Sequence, residues 1–228
     1  MIENIKMPCL YAEKCAEKDP SNKDCRNSCI EYQSLSSSIM NSGKPDYNAY
    51  LVKIRARKCD IDALKKIAEI KENIDNFVHD GKNLYIHSKK IQNGKTTLAV
   101  KLMYSYFHTQ NSYIHERPCA YYIDVPDFLL KTKNFEYINS KEFRELDDIL
   151  INSHLIIWDD IATYPLSQKE QTLLQNYISK RFNVKKSNIF IGTDSDNTIN
   201  ELGRLYQYFT LSNENIELFA EGNKEGDR

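Results

Sequence analysis

The chain has 228 residues, a formal net charge of −1, 41% hydrophobic residues and six cysteines. That length supports one good core with a small appendage. The near-neutral charge argues against a strongly basic nucleic-acid binder, and no apolar run approaches the roughly 18 residues of a membrane span. The opening residues Met1-Ile2-Glu3-Asn4 lack the basic and apolar blocks of a secretory signal, so a cytoplasmic location is expected.

In chain order the first feature is a cysteine cluster. Cys9, Cys15, Cys25 and Cys29 follow the spacing C-x5-C-x9-C-x3-C. In a reducing compartment such clusters more often hold metal than form disulfides, and four thiolates suit a closed tetrahedral zinc site. The segment has few apolar residues (Leu10, Tyr11, Ile30, Tyr32), so bound zinc would supply stability that a core cannot. Residues 34–48 are rich in Ser, Asn, Gly and Pro and read as turn and loop. The expected organisation is a zinc-binding module over 1–33, a linker over 34–59 and a nucleotide-binding domain over 60–228. Cys59 and Cys119 stand apart and are expected to be buried, inert thiols.

Residues 60–79 follow a helical period through Leu64, Ile67, Ile70, Ile74, Phe77 and Val78, with Asp60 as N-cap and Gly81 closing the helix. A short strand over 84–87 leads through a loop to a helix over about 95–108. Tyr104, Tyr106 and Phe107 sit on that helix at a spacing that reads as core. A second strand covers 119–125, and Pro126-Asp127 opens a helix carrying Phe128, Leu129 and Leu130. A helix over about 140–151 precedes the apolar run Leu155-Ile156-Ile157-Trp158. Ser167 caps a helix carrying Leu173, Leu174, Tyr177, Ile178 and Phe182. A fourth strand spans 188–193, a helix about 198–208, and residues 214–219 alternate polar and apolar like an edge strand. Strands alternating with helices predict an α/β fold, a parallel sheet with helices on both faces.

Two stretches carry chemistry. Ser88 to Gly94 is a loop between a strand and a helix, and it ends in Gly94-Lys95-Thr96-Thr97. In a phosphate-binding loop the backbone N–H groups of Asn93 to Thr97 face the phosphates, Lys95 reaches the terminal ones, and the Thr96 hydroxyl ligates Mg²⁺. The pattern departs from G-x-x-x-x-G-K-[ST], because Lys89 stands where the first glycine belongs. The second stretch is the buried strand ending in Asp159-Asp160, about 60 residues on, or roughly two strand–helix units. Carboxylates at such a strand tip sit where open α/β sheets bind ligands. Asp159 suits Mg²⁺ and Asp160 suits orienting an attacking water.

With these elements in order the chain resembles the AAA+ helicase loaders of bacteria and phages, the DnaC/DnaI type, and in particular the phage replication ATPases with a cysteine-bearing N-terminus. The resemblance runs through the early cysteines, Phe77-Val78 to Gly81, Asn83 to Ile86, Gly94-Lys95-Thr96-Thr97, Val125-Pro126-Asp127-Phe128-Leu129, Ile157-Trp158-Asp159-Asp160-Ile161, Leu202-Gly203-Arg204-Leu205 and the end Glu217 to Arg228. It implies an AAA+ core that binds ATP, Mg²⁺ and single-stranded DNA and self-associates. It also implies a zinc module that grips a hexameric replicative helicase, and a role in loading that helicase during DNA replication. It gives Asp160 and Thr193, with Ser195 as second choice, the placing of the attacking water. The family's finger toward a neighbour's phosphates is expected at the second of two arginines, with Arg204 as its substitute here, and Arg228 is a sensor of the γ-phosphate. Two positions depart: Gln92 stands where the family has Gly, and Tyr208 where it has a second Arg. These departures sustain a second reading, a non-hydrolysing adaptor or inhibitor of the helicase. A transposition ATPase of the IstB type shares the core, but the early cysteines argue against it.

Overall fold

Three apolar runs build the centre of the sheet. Leu84-Tyr85-Ile86, Leu155-Ile156-Ile157-Trp158 and Ile189-Phe190-Ile191 are buried throughout. Successive strand side chains point to opposite faces, so each run feeds two cores. The computed structural model describes residues 29–44, 58–89, 94–110, 118–161, 165–193 and 202–218. Among these, β1 (Asn83–Ser88), β2 (Ala120–Asp124), β3 (Leu155–Asp159), β4 (Ser187–Thr193) and β5 (Glu214–Glu217) form one sheet in the order β2-β3-β4-β1-β5. All four pairings are parallel. The expected α/β architecture is present, and β5 is the edge strand that its alternation predicts.

The described helices are α1 (Ile30–Met40), α2 (Ile61–Glu72), α3 (Ile74–His79), α4 (Lys95–Thr109), α5 (Val125–Lys131), α6 (Phe135–Ile138), α7 (Lys141–Asn152), α8 (Gln168–Asn183) and α9 (Arg204–Thr210). On one face Leu84, Ile86, Leu155, Ile157, Ile189 and Ile191 pack with α1 to α4. On the other, Tyr85, Ile156, Trp158 and Phe190 pack with α5 and α7 to α9. α4 lies against the sheet with α1, α2 and α3 over its back. Its Tyr104, Tyr106 and Phe107 are therefore core residues, as their spacing predicts.

Local signals explain the boundaries. Ser167 and Glu170 form a reciprocal capping box at the start of α8. Ser140 and Asp124 accept backbone N–H groups at the starts of α7 and α5. Gly81 ends α3 at φ +67, and the Lys82 N–H reaches back to the Phe77 carbonyl. A Cβ at Gly81 would lie 2.4 Å from the Lys185 carbonyl oxygen, so the turn requires glycine.

Several expectations need correction. Residues 34–40 read as loop by composition but belong to α1. Leu35 and Ile39, four apart, lie on one helical face and are buried against α4, and packing overrides the poor helix propensity of the serines. The helix expected over 60–79 is two helices meeting at Asn73. Asp60 stands at the N-cap position, but its side chain makes no cap hydrogen bond. Cys59 is exposed, on the short 3-10 turn Lys58–Asp60 that leads into α2 and turns Asp60 rather than the thiol inward. Cys119 is buried as expected, and burial pushes its thiol up to about 12. Part of the helix expected over 198–208 falls outside the described residues, and α9 runs to Thr210.

At the N-terminal ends of the strands one buried guanidinium joins four elements. Arg181, on the last turn of α8, donates from Nε to Asn188 Oδ1 (2.7 Å) and from Nη1 to the carbonyls of Leu150 and Ser153 (both 2.9 Å). Its Nη2 donates to the carbonyls of Ser187 (2.6 Å) and His154 (3.4 Å). Burial lowers its proton affinity, to about 9, which leaves it charged at neutral pH. The carbonyl-rich ends of α7 and α8 favour that charge. Removing it would leave several buried carbonyls unsatisfied, at about 1–3 kcal/mol each. Arg181→Ala should therefore lower Tm in a thermal melt by on the order of 10 °C; an unchanged Tm would mean that water replaces the guanidinium without loss.

Candidate functional site

The site forms at the C-terminal ends of β1, β3 and β4. Gly94 caps α4 at φ +89 and ψ 7, a left-handed conformation that costs an L side chain about 1–2 kcal/mol. A Cβ there would meet nothing within 4 Å, so conformation rather than crowding calls for glycine. The first turn of α4 carries no acidic residue. Its positive dipole end is therefore suited to an anion.

Lys95 is buried, and its Nζ donates to Thr193 Oγ1 at 3.3 Å. Thr193 ends β4, paired with Ser88 at the end of β1. Thr96 Oγ1 donates to Asp159 Oδ2 at 2.8 Å, across 63 positions of sequence. The same oxygen accepts the Tyr122 hydroxyl at 2.6 Å, while Asp159 Oδ1 accepts the Asp160 backbone N–H at 3.0 Å. Asp160 itself adopts φ +56, rare for a residue other than glycine though tolerated by aspartate. The next N–H, of Ile161, bonds to the Ile191 carbonyl at 3.1 Å and fixes the turn.

The electrostatics follow from this crowding. Burial, then the charges of Asp159 and Asp124, raises the Asp160 carboxyl above the usual range, and Lys95 and Lys44 oppose the rise. Burial, then the Asp159 charge, holds the Tyr122 phenol well above its ordinary value, so it remains a donor to that carboxylate. One hydroxyl and one carboxylate oxygen converge at Thr96 and Asp159, a hard-oxygen set suited to Mg²⁺. Beside it, Lys95 and the start of α4 supply positive charge suited to phosphate.

The fold thus brings together Gly94, Lys95, Thr96, Thr97, Asp159, Asp160 and Thr193. Arg204 is the first residue of α9 and is exposed. Asn93, Ser195, Arg228, Cys9, Cys15 and Cys25 lie outside the described residues. Of the four cysteines assigned to zinc, only Cys29 is described. It precedes α1, and its thiol donates to Glu31 Oε2 at 3.2 Å. Among the described residues no group of three or more His, Cys, Asp or Glu is arranged to hold a metal.

Sequence reasoning missed Tyr122 and Lys44. The Ser42 carbonyl accepts the Tyr122 N–H at 2.7 Å along the outer edge of β2, and Lys44 Nζ lies 4.6 Å from the centre of the Tyr122 ring. Nothing in the sequence signals this meeting of residues 42–44 with β2. The anion-binding geometry at α4 leads to a simple expectation. Pyrophosphate should raise the Tm of the wild-type chain by ligand linkage and raise that of Lys95→Ala much less, as read by differential scanning fluorimetry. Equal shifts in the two proteins would remove Lys95 from the site.

No family model and no curated protein matches this sequence. Among solved structures the chain is similar to the DnaC helicase loader, with 20% identity and a TM-score of 0.60 over 75% of this chain and 97% of that one. It is similar to DnaI, with 16% identity and a TM-score of 0.55 over 79% and 93% of the two chains. A DNA replication initiation factor matches with 16% identity and a TM-score of 0.56, over 77% of this chain and 50% of that one. At these identities the likeness is one of fold: a parallel five-stranded sheet flanked by helices.

Proposed function

We propose that this chain is an ATP-dependent loader that delivers a hexameric replicative DNA helicase onto single-stranded DNA. The observation that carries the enzymatic part is the 2.8 Å hydrogen bond between Thr96 and Asp159. It joins the phosphate-loop helix to the carboxylate strand, beside Lys95 and Thr193. The loading role is supported by the fold shared with structures named as a helicase loader and a replication initiation factor.

In this reading Asn93 and Gly94, with the start of α4 through Thr97, hold the phosphates, and Lys95 neutralises their charge. Thr96 and Asp159 hold Mg²⁺, which when bound screens the phosphate oxygens and helps polarise them. Asp160 and Thr193, at adjacent strand tips, orient a water toward the terminal phosphorus. Asp160 accepts a proton as the water's oxygen bonds to that phosphorus and the bond to the ADP oxygen breaks. The products are ADP and phosphate. Arg204, exposed at the start of α9, is suited to reaching a neighbouring copy, and Arg228 is assigned to the γ-phosphate. Cys9, Cys15, Cys25 and Cys29 hold zinc in a module over 1–33 that grips the helicase. Cys29 directly precedes α1, so such a module would be tied to the ATPase core through that helix rather than through a loop over 34–40.

One observation favours a second reading, an adaptor or inhibitor that binds nucleotide with little turnover. Tyr208, where the resembling family carries an arginine, packs its ring against Phe182 at 5.3 Å between centroids. A packed aromatic cannot reach across to a neighbour's phosphates.

Steady-state ATPase assays with and without helicase and single-stranded DNA separate the two. Stimulated turnover is expected for the loader. Asp160→Asn should retain nucleotide while turnover falls by about 100-fold or more, the usual worth of a positioned base; wild-type turnover in that variant would make Asp160 only a strand cap. Protein purified without added metal should contain about one Zn²⁺ per chain, and Cys25→Ser should lose both zinc and helicase capture while still binding ATP. A metal-free wild-type chain, or full capture by Cys25→Ser, would remove the zinc module.

A further inference from the structure

Tyr122 belongs to neither of the two motifs, yet it touches the carboxylate on which both converge. Its hydroxyl donates to Asp159 Oδ2 at 2.6 Å, the oxygen that also accepts Thr96. The ring is almost wholly buried. Its donor is therefore fixed in direction, and a buried hydrogen bond to a charged acceptor is a strong one.

The backbone carrying that ring is itself held from outside the sheet. The Ser42 carbonyl accepts the Tyr122 N–H at 2.7 Å. Gly43 follows at φ +74, and a Cβ there would lie 2.3 Å from the Tyr122 carbonyl oxygen and 2.8 Å from the Tyr121 ring. Only glycine allows this approach. The Ser42 hydroxyl closes the strap, donating to the Ile39 carbonyl at 2.7 Å and accepting the Lys44 N–H at 3.3 Å. The Lys44 carbonyl accepts the Tyr104 hydroxyl of α4, and Lys44 Nζ stands 4.6 Å over the Tyr122 ring. A cation over that face holds the ring by electrostatic attraction. The strap thus bonds to α1, to β2 and to α4, the helix that begins at the phosphate loop.

We propose that Tyr122 is a positioning residue that sets the Asp159 carboxylate for its divalent cation, and that the Ser42-Gly43-Lys44 strap holds Tyr122 in register for that task. The proposal rests on the nucleotide-site reading given above. The cation's affinity then depends on the segment following α1 as well as on the two motifs. An outer donor of this kind orients a ligating carboxylate, and its loss typically costs about 10- to 100-fold in metal affinity.

The test uses the full chain with Mn²⁺ as probe, its binding read by electron paramagnetic resonance in the presence of a non-hydrolysable ATP analogue. Tyr122→Phe keeps the ring and removes only the donor. It should weaken Mn²⁺ binding by about 10-fold or more, with analogue affinity in EDTA unchanged and Tm close to wild type. Gly43→Ala should reproduce the weakening with Tyr122 intact. Wild-type Mn²⁺ affinity in Tyr122→Phe overturns the proposal. So does an equal loss of metal-free nucleotide binding, which would mark Tyr122 as merely structural. Gly43→Ala with wild-type Mn²⁺ affinity overturns the strap's part in it. Should Gly43→Ala fail to fold, Lys44→Met, which leaves the backbone intact, tests the strap by the same measurement. Asp159→Asn serves as reference and should lose the Mn²⁺ site outright. If it binds Mn²⁺ like wild type, the nucleotide-site reading itself has failed, a result distinct from the failure of Tyr122→Phe alone.

Discussion

The buried guanidinium of Arg181 sets the frame on which the site depends. Its five hydrogen bonds reach the C-terminal end of α7, the residues leading into β3, and the start of β4. Asn188 extends the same network across the sheet. Its Oδ1 accepts Trp158 Nε1 from β3 at 3.0 Å, and its Nδ2 donates to Asn83 Oδ1 of β1 at 2.8 Å. β1, β4 and β3 are thus tied by polar contacts at one end, in a core made largely of aliphatic and aromatic side chains. A buried charge without a carboxylate partner is costly to form. Here neutral carbonyls, oriented by two helix ends and two strands, replace the hydration it loses.

Fixing the strands at one end fixes what their other ends present. β4 lies between β1 and β3. Thr193 therefore comes to Lys95, which follows β1, and stands beside the carboxylates that end β3. The arrangement is electrostatically uneven. Asp159, Asp160 and Asp124 gather at neighbouring strand tips, and Asp160 feels the other two as a rise in its proton affinity. Lys95 and Lys44 oppose that rise. A cluster of like charges beside a cation-lined helix end suits a ligand that brings both signs, such as a phosphate chain with a divalent metal.

The strap over β2 shows how a segment remote in sequence becomes part of such a site. Parallel sheets leave an edge strand with unpaired backbone groups, and β2 is one of the two edges. The Ser42 carbonyl covers part of it. The same contact brings Lys44 onto Tyr122 and its positive charge near Asp160. Covering an edge and supporting the Asp159 carboxylate are here one structural act.

The sequence determined the local chemistry and the periodicity. A continuous apolar run marked β3 as a strand buried on both faces, short runs marked β1 and β4 as strands, alternation marked β5 as an edge, and Ser167 marked the start of α8. The Gly94-Lys95-Thr96 and Asp159-Asp160 stretches stood out because each motif needs only a few adjacent residues in a fixed order. Tertiary structure alone decided the rest. α1 is helical because Leu35 and Ile39 find α4, not because of its serine-rich composition. Arg181 gave no signal, since an arginine on an otherwise amphipathic helix reads as solvated until the ends of α7 and β4 close over it. Tyr122 and Lys44 lie 78 positions apart in the numbering, and Tyr122 lies 37 from Asp159. Their meeting depends on strand order and on a glycine turn against β2. Such contacts are fixed by the global packing of the sheet, and no local pattern of residue types encodes them.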